Sequence, residues 1–370
     1  MRIVFLSHVD FNLYLFRLPI MKAMVEAGWE VYALCPEGEY SKRFQDDGIM
    51  HVPYKIDRSS LNPFKEITTI RNIAKVLREI NPEILHTFTV KPNIYGTIAG
   101  KLAGTKKIYC SITGLGSFFI EKSLQAMIVR GIITSLYRII FKMADGVVFQ
   151  NSDDLTLFVE KNIVSREKTY LIKGSGIDTG LWEGKKHSAH AGKTVLFIGR
   201  LLIHKGIREF IQAARSVKEK VPETRFVVAG DYDRGNPFNL EKETMDNAIK
   251  EGTVTFLGWQ SDVRPLYEMS DIFVLPSYRE GMPRTAIEAA SMSLPIVTTN
   301  TVGCREVVDD GVNGFLVPVG DHVLLAAKIL TLLNDDRLYE KMAQKSREKA
   351  VAEFDIQTIV AQHLSLYNGA

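Results

Sequence analysis

The chain has 370 residues, of which 46% are hydrophobic and 24% are charged, and this length predicts two domains rather than one. A formal net charge of only +3 argues against nucleic acid as the main partner. The three cysteines, Cys35, Cys110 and Cys304, lie far apart and form no CxxC pair, so we expect a reducing compartment and no structural metal.

Short β-branched runs alternate with longer amphipathic stretches, and this alternation predicts an α/β fold with parallel sheets covered by helices on both faces. In the first half the runs lie near residues 3–6, 31–34, 84–86, 108–111, 147–150 and 170–172. In the second half they lie near residues 195–198, 226–229, 254–257, 272–275 and 296–298. The first residues read directly as a strand, so we expect no secretory signal.

The alternation pauses between Gly174 and Gly192, where a turn-rich segment is followed by polar residues. We interpret this pause as a linker between two domains of similar size. The predicted domains are residues 1–176 and 177–352, followed by a final helix at residues 353–370.

Two glutamates lie close together in the second half. Glu280 is in a loop after the predicted strand at residues 272–275, and Glu288 is inside the helix predicted next. Gly281 lets the backbone come close to a ligand, and the two carboxylates can then hold separate parts of it. Such pairs also occur by chance, so the order of strand, glycine, proline and helix is what favours a binding site.

The helix that carries Glu288 is expected to begin at Pro283, because the first helical position leaves its N–H unsatisfied anyway. The first N–H groups of this helix, near Arg284 and Thr285, are expected to point back at the loop. Together with the helix dipole, these donors favour a phosphate.

A second segment places two cations after a predicted strand. Gly199 and Arg200 follow residues 195–198, and Lys205 lies in the same turn. Fixed cations stabilise negative charge that develops on a leaving phosphate, although both side chains can also simply be solvated in a loop. We interpret His204 as a loop residue rather than a general base.

These segments resemble the Glu-x7-Glu and Gly-Arg-Leu…Lys-Gly motifs of the family 4 retaining glycosyltransferases. The resemblance covers essentially the whole chain and implies the GT-B fold, in which two Rossmann-like domains carry parallel sheets that face each other across a cleft. It implies that the first domain is the acceptor side, that the second binds a nucleotide sugar, and that the final helix crosses back to the first domain.

The resemblance also implies roles for these residues. Glu288 would hold the ribose, and Glu280 would contact hydroxyls of the donor sugar. Arg200 and Lys205 would hold the donor diphosphate where other folds use a metal, so that Glu280, Arg200 and Lys205 form the catalytic group. Further donor contacts are implied for Gly199, Gly281, Met282, Arg284, Thr285 and Trp259. Trp259 lies near the place where the family reads the uracil, but packing explains it equally well.

The tripeptide from Asp231 to Asp233 spells DxD, the metal-binding signature of a different glycosyltransferase fold. Gly235 and Pro237 follow closely, and such residues are typical of a turn. We therefore predict an ordinary turn and no metal at this place.

Further candidate contacts in the first half follow predicted strands, and they are His8, Asp10, Lys91, Asn93, Gly114 and Gly116. For the first four, capping of the next helix is the alternative. The two glycines would let the backbone approach the donor diphosphate. Many relatives have a Gly-rich loop after the first strand and a histidine near Gly114, and this chain has neither.

Some less generic runs resemble the branch of the family that adds N-acetylgalactosamine to undecaprenyl-diphosphate-linked diacetylbacillosamine for bacterial protein N-glycosylation. They are residues 5–8, 59–64, 114–118, 204–206 and 275–278. The implied donor is UDP-N-acetylgalactosamine, used without a cofactor and with retention of the α configuration. A related transferase of capsule or O-antigen synthesis that uses another UDP-sugar stays an alternative.

Other classes of function fit the residues less well. A GT-B-type UDP-sugar epimerase needs carboxylates for proton transfer, and the first half offers no convincing set. A dinucleotide-dependent oxidoreductase needs G-x-G-x-x-G after the first strand, where this chain has no glycine. The presence of Arg200, Lys205, Glu280 and Glu288 argues against a non-catalytic binding module.

The polyprenyl-diphosphate acceptor implies docking on an anionic membrane, and two apolar surfaces with cations offer themselves. One comprises Phe11, Leu13, Tyr14, Leu15, Phe16 and Arg17. The other is the stretch from about Lys122 to Lys142, where Met127, Ile128, Ile132, Ile133, Ile139, Ile140 and Phe141 are interleaved with Arg130 and Arg138. Its cations interrupt what would otherwise be a membrane span, and on periodicity alone a core helix explains it equally well. We expect a cytoplasmic protein, peripheral on the cytosolic face of the inner membrane and near other enzymes of its pathway.

Overall fold

A computed structural model of the chain describes residues 1–57, 62–115, 123–184 and 193–369. The contacts between Cα atoms divide the chain into two compact units. Unit 1 comprises Met1–Gly176 together with Ile356–Ala370, and unit 2 comprises Ile177–Asp355. Each unit is built around its own parallel sheet.

The strands of unit 1 are β1 (Arg2–Leu6), β2 (Glu30–Leu34), β3 (Met50–Val52), β4 (Ile84–Phe88), β5 (Lys107–Ile112), β6 (Gly146–Phe149) and β7 (Thr169–Leu171). Within the described residues they form one seven-stranded parallel sheet in the order β3-β2-β1-β4-β5-β6-β7. Its helices are α1 (Asp10–Glu26), α2 (Pro63–Ile80), α3 (Val90–Ala103), α4 (Leu124–Met143), α5 (Ser152–Glu160) and the last helix of the chain, α13 (Ile356–Asn368).

The strands of unit 2 are β8 (Thr194–Ile198), β9 (Arg225–Ala229), β10 (Thr255–Phe256), β11 (Ile272–Leu275), β12 (Ile296–Thr299) and β13 (Gly314–Val317). Among the described residues they form a six-stranded parallel sheet in the order β10-β9-β8-β11-β12-β13. Its helices are α6 (Ile207–Lys218), α7 (Lys242–Lys250), α8 (Arg264–Glu268), α9 (Arg284–Ser291), α10 (Cys304–Val307), α11 (His322–Asn334) and α12 (Asp336–Glu353). The strand order reverses between β8 and β11, which is where ligands bind in sheets of this kind.

The predicted strands are confirmed, and among the described strands only β3 and β13 are not predicted from the sequence. β3 is a three-residue strand at the sheet edge and has no β-branched run. β13 begins with Gly314, and glycine in a sequence normally indicates a turn. A Cβ at Gly314 would come within 1.9 Å of the Ile296 carbonyl oxygen, so the close approach of β12 requires the glycine.

The strand β1 shows why the predicted runs are apolar throughout rather than alternating. Ile3, Val4, Phe5 and Leu6 are all fully buried. Helices cover both faces of a parallel sheet, so side chains on either side of the strand enter a core.

The last helix, α13, is fixed to unit 1 by hydrogen bonds to interior side chains. The Tyr367 hydroxyl lies 2.5 Å from Nδ1 of His86 in β4, and the Tyr109 hydroxyl donates to the Leu366 carbonyl oxygen at 3.1 Å. Burial holds the pKa of His86 well below its usual value. The imidazole is therefore neutral and acts inside the core as a hydrogen-bonding group without charge.

The turn after β8 is packed against Gly230, and this contact gives a test of the fold. Gly230 has a φ of +140°, and a Cβ there would lie 1.9 Å from the Gly199 carbonyl oxygen. We expect Gly230→Ala to lower the free energy of unfolding by about 1–3 kcal/mol more than Gly252→Ala does, as overpacking typically costs. Gly252 also has a positive φ, +66°, but nothing lies within 4 Å of its added Cβ, so it measures the conformational cost alone. Equal melting temperatures for the two variants would contradict the predicted clash.

Candidate active site

The two sequence motifs of unit 2 follow neighbouring strands. Gly199 and Arg200 come directly after β8, and the loop with Glu280 comes after β11. The two strands are adjacent and parallel, so their carboxyl ends lie at the same edge of the sheet. Lys205 and Glu280, which are 75 residues apart in sequence, therefore meet in one site.

The central contact of this site is an ion pair between Lys205 and Glu280. The Lys205 Nζ lies 2.5 Å from the Glu280 Oε1, and the Ser277 hydroxyl donates to the same oxygen at 2.8 Å. The Lys205 and Glu280 side chains are 23% and 10% exposed. The pair is therefore largely withdrawn from solvent, where a hydrogen bond between opposite charges is stronger than in water.

The backbone of Glu280 is held by the loop that follows β12. The Glu280 N–H donates to the Val302 carbonyl oxygen at 3.0 Å. Gly303 has a φ of +79°, and a Cβ there would come within 2.7 Å of the Glu280 carbonyl oxygen and 2.8 Å of that of Gly281. Only glycine lets the two loops approach this closely.

Arg200 lies at the same edge of the sheet but pairs with Asp233. Its Nη1 is 2.6 Å from the Asp233 Oδ2. The Asp233 N–H donates to the Asn239 Oδ1 at 2.9 Å, and the Asn239 Nδ2 donates back to the Asp233 carbonyl oxygen at 2.8 Å. The DxD tripeptide is thus part of a hydrogen-bonded turn, and in the described ranges no group of three or more His, Cys, Asp or Glu side chains is placed to hold a metal ion.

Glu288 is buried inside α9 with both carboxylate oxygens bonded. Arg284 Nε donates to Oε1 at 2.9 Å, and the Tyr267 hydroxyl lies 3.0 Å from Oε2 and 2.9 Å from the Thr285 carbonyl oxygen. Burial raises the pKa of Glu288, while Arg284 and Tyr267 act to lower it. The site thus holds this carboxyl in a poorly solvated place by means of two specific donors.

The helix α9 begins at Arg284, which corrects the expectation that Pro283 is its first residue. Pro283 has a ψ of 100°, which is an extended and not a helical backbone angle. Its carbonyl oxygen accepts from the N–H groups of Ala286 and Ile287. The N–H groups of Arg284 and Thr285 therefore lie in the first turn of the helix, as predicted from the sequence.

The remaining donor-side candidates are less closely grouped. Gly199 is tied to β9, because its N–H donates to the Ala229 carbonyl oxygen at 3.0 Å. Met282 is partly buried and packs on the core of unit 2. Trp259 is 69% exposed, so burial in a core does not account for this tryptophan.

In unit 1, His8 and Asp10 both follow β1. The His8 Nδ1 lies 2.7 Å from the Thr89 Oγ1, which joins the ends of β1 and β4. Asp10 is the first residue of α1, and its carboxylate accepts from the N–H groups of Phe11 and Tyr40. Asp10 therefore ties the start of α1 to the loop after β2.

Lys91 lies near the start of α3 and does not cap that helix. Its Nζ donates to the Asp57 carbonyl oxygen at 2.7 Å and pairs with the Glu66 Oε1 at 3.0 Å. Gly114 follows β5 with a φ of +142°. Gly116 lies outside the described residues.

Asn93 is fully buried in unit 1, and its role as a substrate contact stays a prediction. The Thr87 hydroxyl donates to its Oδ1 at 2.7 Å, and its Nδ2 donates to the Ser111 carbonyl oxygen at 3.0 Å. A buried amide needs such partners, and both polar atoms of the Asn93 side chain find them inside unit 1.

The first of the two surfaces suggested for membrane docking is not present as predicted. Leu13 and Arg17 are buried, and of this set Phe11 and Leu15 remain exposed as large apolar side chains. The Arg17 guanidinium lies 4.8 Å above the Phe88 ring. Its charge therefore lies inside unit 1 and does not face anionic headgroups.

The second surface, on α4, is largely present. Among the described residues, α4 is the one helix that is long and apolar enough to cross a membrane, and only 22% of its most apolar window is buried. Ile140 and Phe141 are buried, contrary to expectation, and Lys122 lies outside the described residues. The exposed large apolar side chains are Leu124, Met127, Ile128, Ile132, Leu136 and Ile139.

Two partners of the glutamates are missed by the sequence analysis. Ser277 directly precedes the loop of Glu280 and lies in the run at residues 275–278, just after a predicted strand. This position could have indicated that Ser277 belongs to the site. Tyr267 belongs to α8 and reaches Glu288 from a distance of 21 residues in sequence. Nothing in its local pattern indicates this contact.

With this geometry established, comparison with known proteins decides the family. The family model of group 1 glycosyl transferases matches residues 180–349, and that of glycosyl transferase 4-like proteins matches residues 2–151. The N,N'-diacetylbacillosaminyl-diphospho-undecaprenol α-1,3-N-acetylgalactosaminyltransferase of Campylobacter jejuni is 33% identical over 100% of this chain and 98% of its own. The chain belongs to the group 1 glycosyltransferases. The resemblance drawn from the two motifs is thus confirmed.

Further similar proteins support the assignment of this chain to the glycosyltransferases. The UDP-Gal:α-D-GlcNAc-diphosphoundecaprenol α-1,3-galactosyltransferase of Escherichia coli is 26% identical over 92% of this chain and 89% of its own. The crystal structure of Anabaena HepE in complex with UDP has a TM-score of 0.82 at 20% identity and covers 100% of both chains. The glycosyltransferase therefore has the GT-B fold, as the sequence predicts.

The buried carboxyl of Glu288 gives the glycosyltransferase a testable pH dependence. Because its pKa is raised on folding, it contributes stability that is present below the pKa of the unfolded chain and is lost as the pH rises through the folded pKa. We expect Glu288→Gln to gain stability relative to the wild type as the pH rises above about 4, the usual pKa of a glutamate in an unfolded chain. Melting temperatures measure this, with the exposed Glu223→Gln as control. A pH-independent difference would contradict the raised pKa.

Proposed function

We propose that the protein is a retaining, metal-independent hexosyltransferase. It moves N-acetylgalactosamine from UDP-N-acetylgalactosamine to undecaprenyl-diphosphate-linked diacetylbacillosamine, in assembly of the glycan for protein N-glycosylation. The name of the Campylobacter relative, which matches the whole chain, supports these substrates. The observation that carries the proposal is the meeting of Lys205 and Glu280 at the carboxyl ends of β8 and β11.

The proposed transfer exchanges one bond at the anomeric carbon of the sugar. The bond to the β-phosphate oxygen of UDP breaks, and a bond to the acceptor hydroxyl oxygen forms on the same face. The proton of that hydroxyl passes to the leaving diphosphate, and UDP departs. Negative charge grows on the diphosphate in the transition state, so fixed cations beside it lower the barrier.

Arg200 and Lys205 supply these cations in the proposal. Each has a carboxylate partner in the structure, Asp233 and Glu280 respectively. A diphosphate offers both cations oxygens with more charge, so it can displace these partners. The two side chains then hold the leaving group without a metal ion.

Glu280 and Glu288 hold the two sugars of the donor in the proposal. Glu280 accepts from hydroxyls of the transferred sugar, beside the N–H groups of Gly281 and Met282. Glu288 accepts from the ribose hydroxyls, and its position inside α9 suits the end of the donor that does not react. The N–H groups of Arg284 and Thr285 face phosphate at the start of the helix. Trp259 contacts the uracil of the donor.

The decisive experiment is a screen of UDP-sugars with undecaprenyl-diphosphate-linked acceptors, in which NMR determines the linkage of the product. We expect transfer of N-acetylgalactosamine to diacetylbacillosamine with an α linkage. Preference for another UDP-sugar and acceptor would favour a transferase of capsule or O-antigen synthesis. Conversion of the UDP-sugar without any acceptor would favour an epimerase.

In the same assay, Arg200→Ala and Lys205→Ala should each lower turnover by about 100-fold or more, because the transition state loses a fixed charge. Arg215→Ala is the matched control, since it breaks a surface pair with Glu251 in the same unit. EDTA should leave the wild-type rate unchanged. Full activity of Lys205→Ala would contradict the assignment, and a rate abolished by EDTA would point to Asp231 and Asp233 instead.

We further propose that α4 docks the protein on the cytosolic leaflet of the inner membrane, where a polyprenyl-diphosphate acceptor resides. The exposed apolar side chains of α4 recur at spacings of three or four residues along one side of the helix. The helix contains Arg130, Arg138 and Lys142 and no acidic residue. An apolar face with cations suits an anionic interface, where each cation contributes about 1 kcal/mol.

Sedimentation with anionic liposomes tests this docking. We expect wild type to bind in a salt-sensitive way, and Arg130→Glu with Arg138→Glu to weaken binding to liposomes while UDP-sugar binding stays intact. The exposed pair Lys220→Glu with Lys250→Glu in unit 2 makes the same change in net charge and serves as control. Equal sedimentation of wild type and the α4 variant would exclude this helix. No sedimentation of wild type would point to recruitment by a membrane-bound enzyme of the pathway.

A further inference from the structure

Two donors converge on a single oxygen of Glu280. Lys205 Nζ lies 2.5 Å and Ser277 Oγ 2.8 Å from Oε1. Within the part of the chain that the structure describes, no hydrogen bond reaches Oε2 of the same carboxylate. One oxygen is therefore fixed by the protein, and the other keeps its full capacity as an acceptor.

The position of the Ser277 hydroxyl is itself fixed by the backbone. Ser277 is fully buried two residues after the end of β11. Its N–H donates to the Leu275 carbonyl oxygen at 2.9 Å, and its own carbonyl oxygen accepts from the Thr299 hydroxyl. The carbonyl oxygens of His204 and Arg279 also lie near the hydroxyl, at 3.1 and 3.4 Å. A hydroxyl has one proton to give, and the nearby carboxylate is the strongest of these acceptors.

Lys205 and Ser277 hold the carboxylate in different ways. Lysine is a compact charge on a long flexible side chain, and Lys205 is 23% exposed. Under the proposed function Lys205 also binds the donor diphosphate, so its ion pair with Glu280 changes when the donor binds. Ser277 is short and enclosed, so it keeps its place in both states.

We propose that Ser277 is a positioning residue for Glu280, whose Oε1 it fixes so that Oε2 is presented to a hydroxyl of the donor sugar. This inference rests on the proposed function, because it takes the donor sugar as the partner of Glu280. Ser277 then acts on turnover through the orientation of the carboxylate. It has no effect on the binding of UDP, which lacks the transferred sugar.

Two substitutions at Ser277 separate its hydrogen bond from its packing. Ser277→Ala removes the donor, and Ser277→Cys keeps a similar volume but donates only weakly. We expect both variants to lower kcat by about 10-fold or more, since a hydrogen bond to a charged group is lost. The Kd for UDP, measured by calorimetry, should stay within about twofold of wild type.

The matched control is Ser270→Ala at the other end of β11. Ser270 is 1% exposed, and its hydroxyl donates to the Leu266 carbonyl oxygen at 2.5 Å. The substitution Ser270→Ala thus removes an equally buried hydroxyl whose hydrogen bond goes to Leu266 and not to Glu280. We expect wild-type kcat for this variant, and melting temperatures of all variants confirm that they are folded.

A double-mutant cycle with Glu280→Gln decides whether Ser277 acts through Glu280. Ser277→Ala should cause little further loss in the Glu280→Gln background. Equal losses in both backgrounds, wild-type kcat for Ser277→Cys, or a loss confined to the Kd for UDP would each overturn the inference. Unchanged kcat in Glu280→Gln itself would overturn the proposed role of Glu280 and the inference with it, a result distinct from the others because it needs no change at Ser277.

Discussion

The site depends on one constraint, namely that β8 and β11 lie side by side and parallel in unit 2. Parallel neighbours require a long crossover between them, so groups that meet at their carboxyl ends come from distant parts of the chain. Lys205 and Glu280 are 75 residues apart and still form a 2.5 Å contact. Gly199 with Gly230 and Gly303 with Glu280 pack the surrounding turns closely enough to hold that contact in place.

Opposite charges in the site are paired with one another. The pairs are Arg200 with Asp233, Lys205 with Glu280, and Arg284 with Glu288. Solvent screens the exposed pair of Arg200 with Asp233, so this pair contributes little to the free energy of unfolding. The pair at Glu288 is withdrawn from water, so a partner lost there would leave a costly charge behind. A ligand that brings both phosphate and hydroxyl groups exchanges one set of hydrogen bonds for another, and its affinity depends on the difference.

The helix α4 is unusual because it has apolar side chains both on its buried side and on its exposed side. Its buried side chains include Tyr137, Ile140 and Phe141, which pack into unit 1. The opposite side remains apolar and exposed, and the proposed docking on a membrane is based on this stripe. The sequence pattern fits a core helix and an interfacial helix equally well, and only the packing of unit 1 shows which side chains are left exposed.

The sequence by itself determined the alternation of strands and helices, the two motifs and their family. These are local patterns, formed by residues that lie close together in the chain, so they can be recognised without the tertiary structure. It did not determine burial, which depends on what distant parts of the chain bring against a side chain. Asn93 and Arg17 read as polar groups for a ligand or a headgroup, yet both are enclosed in unit 1. The strand that begins at Gly314 and the bond from Tyr267 to Glu288 were likewise decided by close approach of remote segments. Tertiary structure alone sets such contacts, since folding places these segments side by side while the sequence keeps them apart.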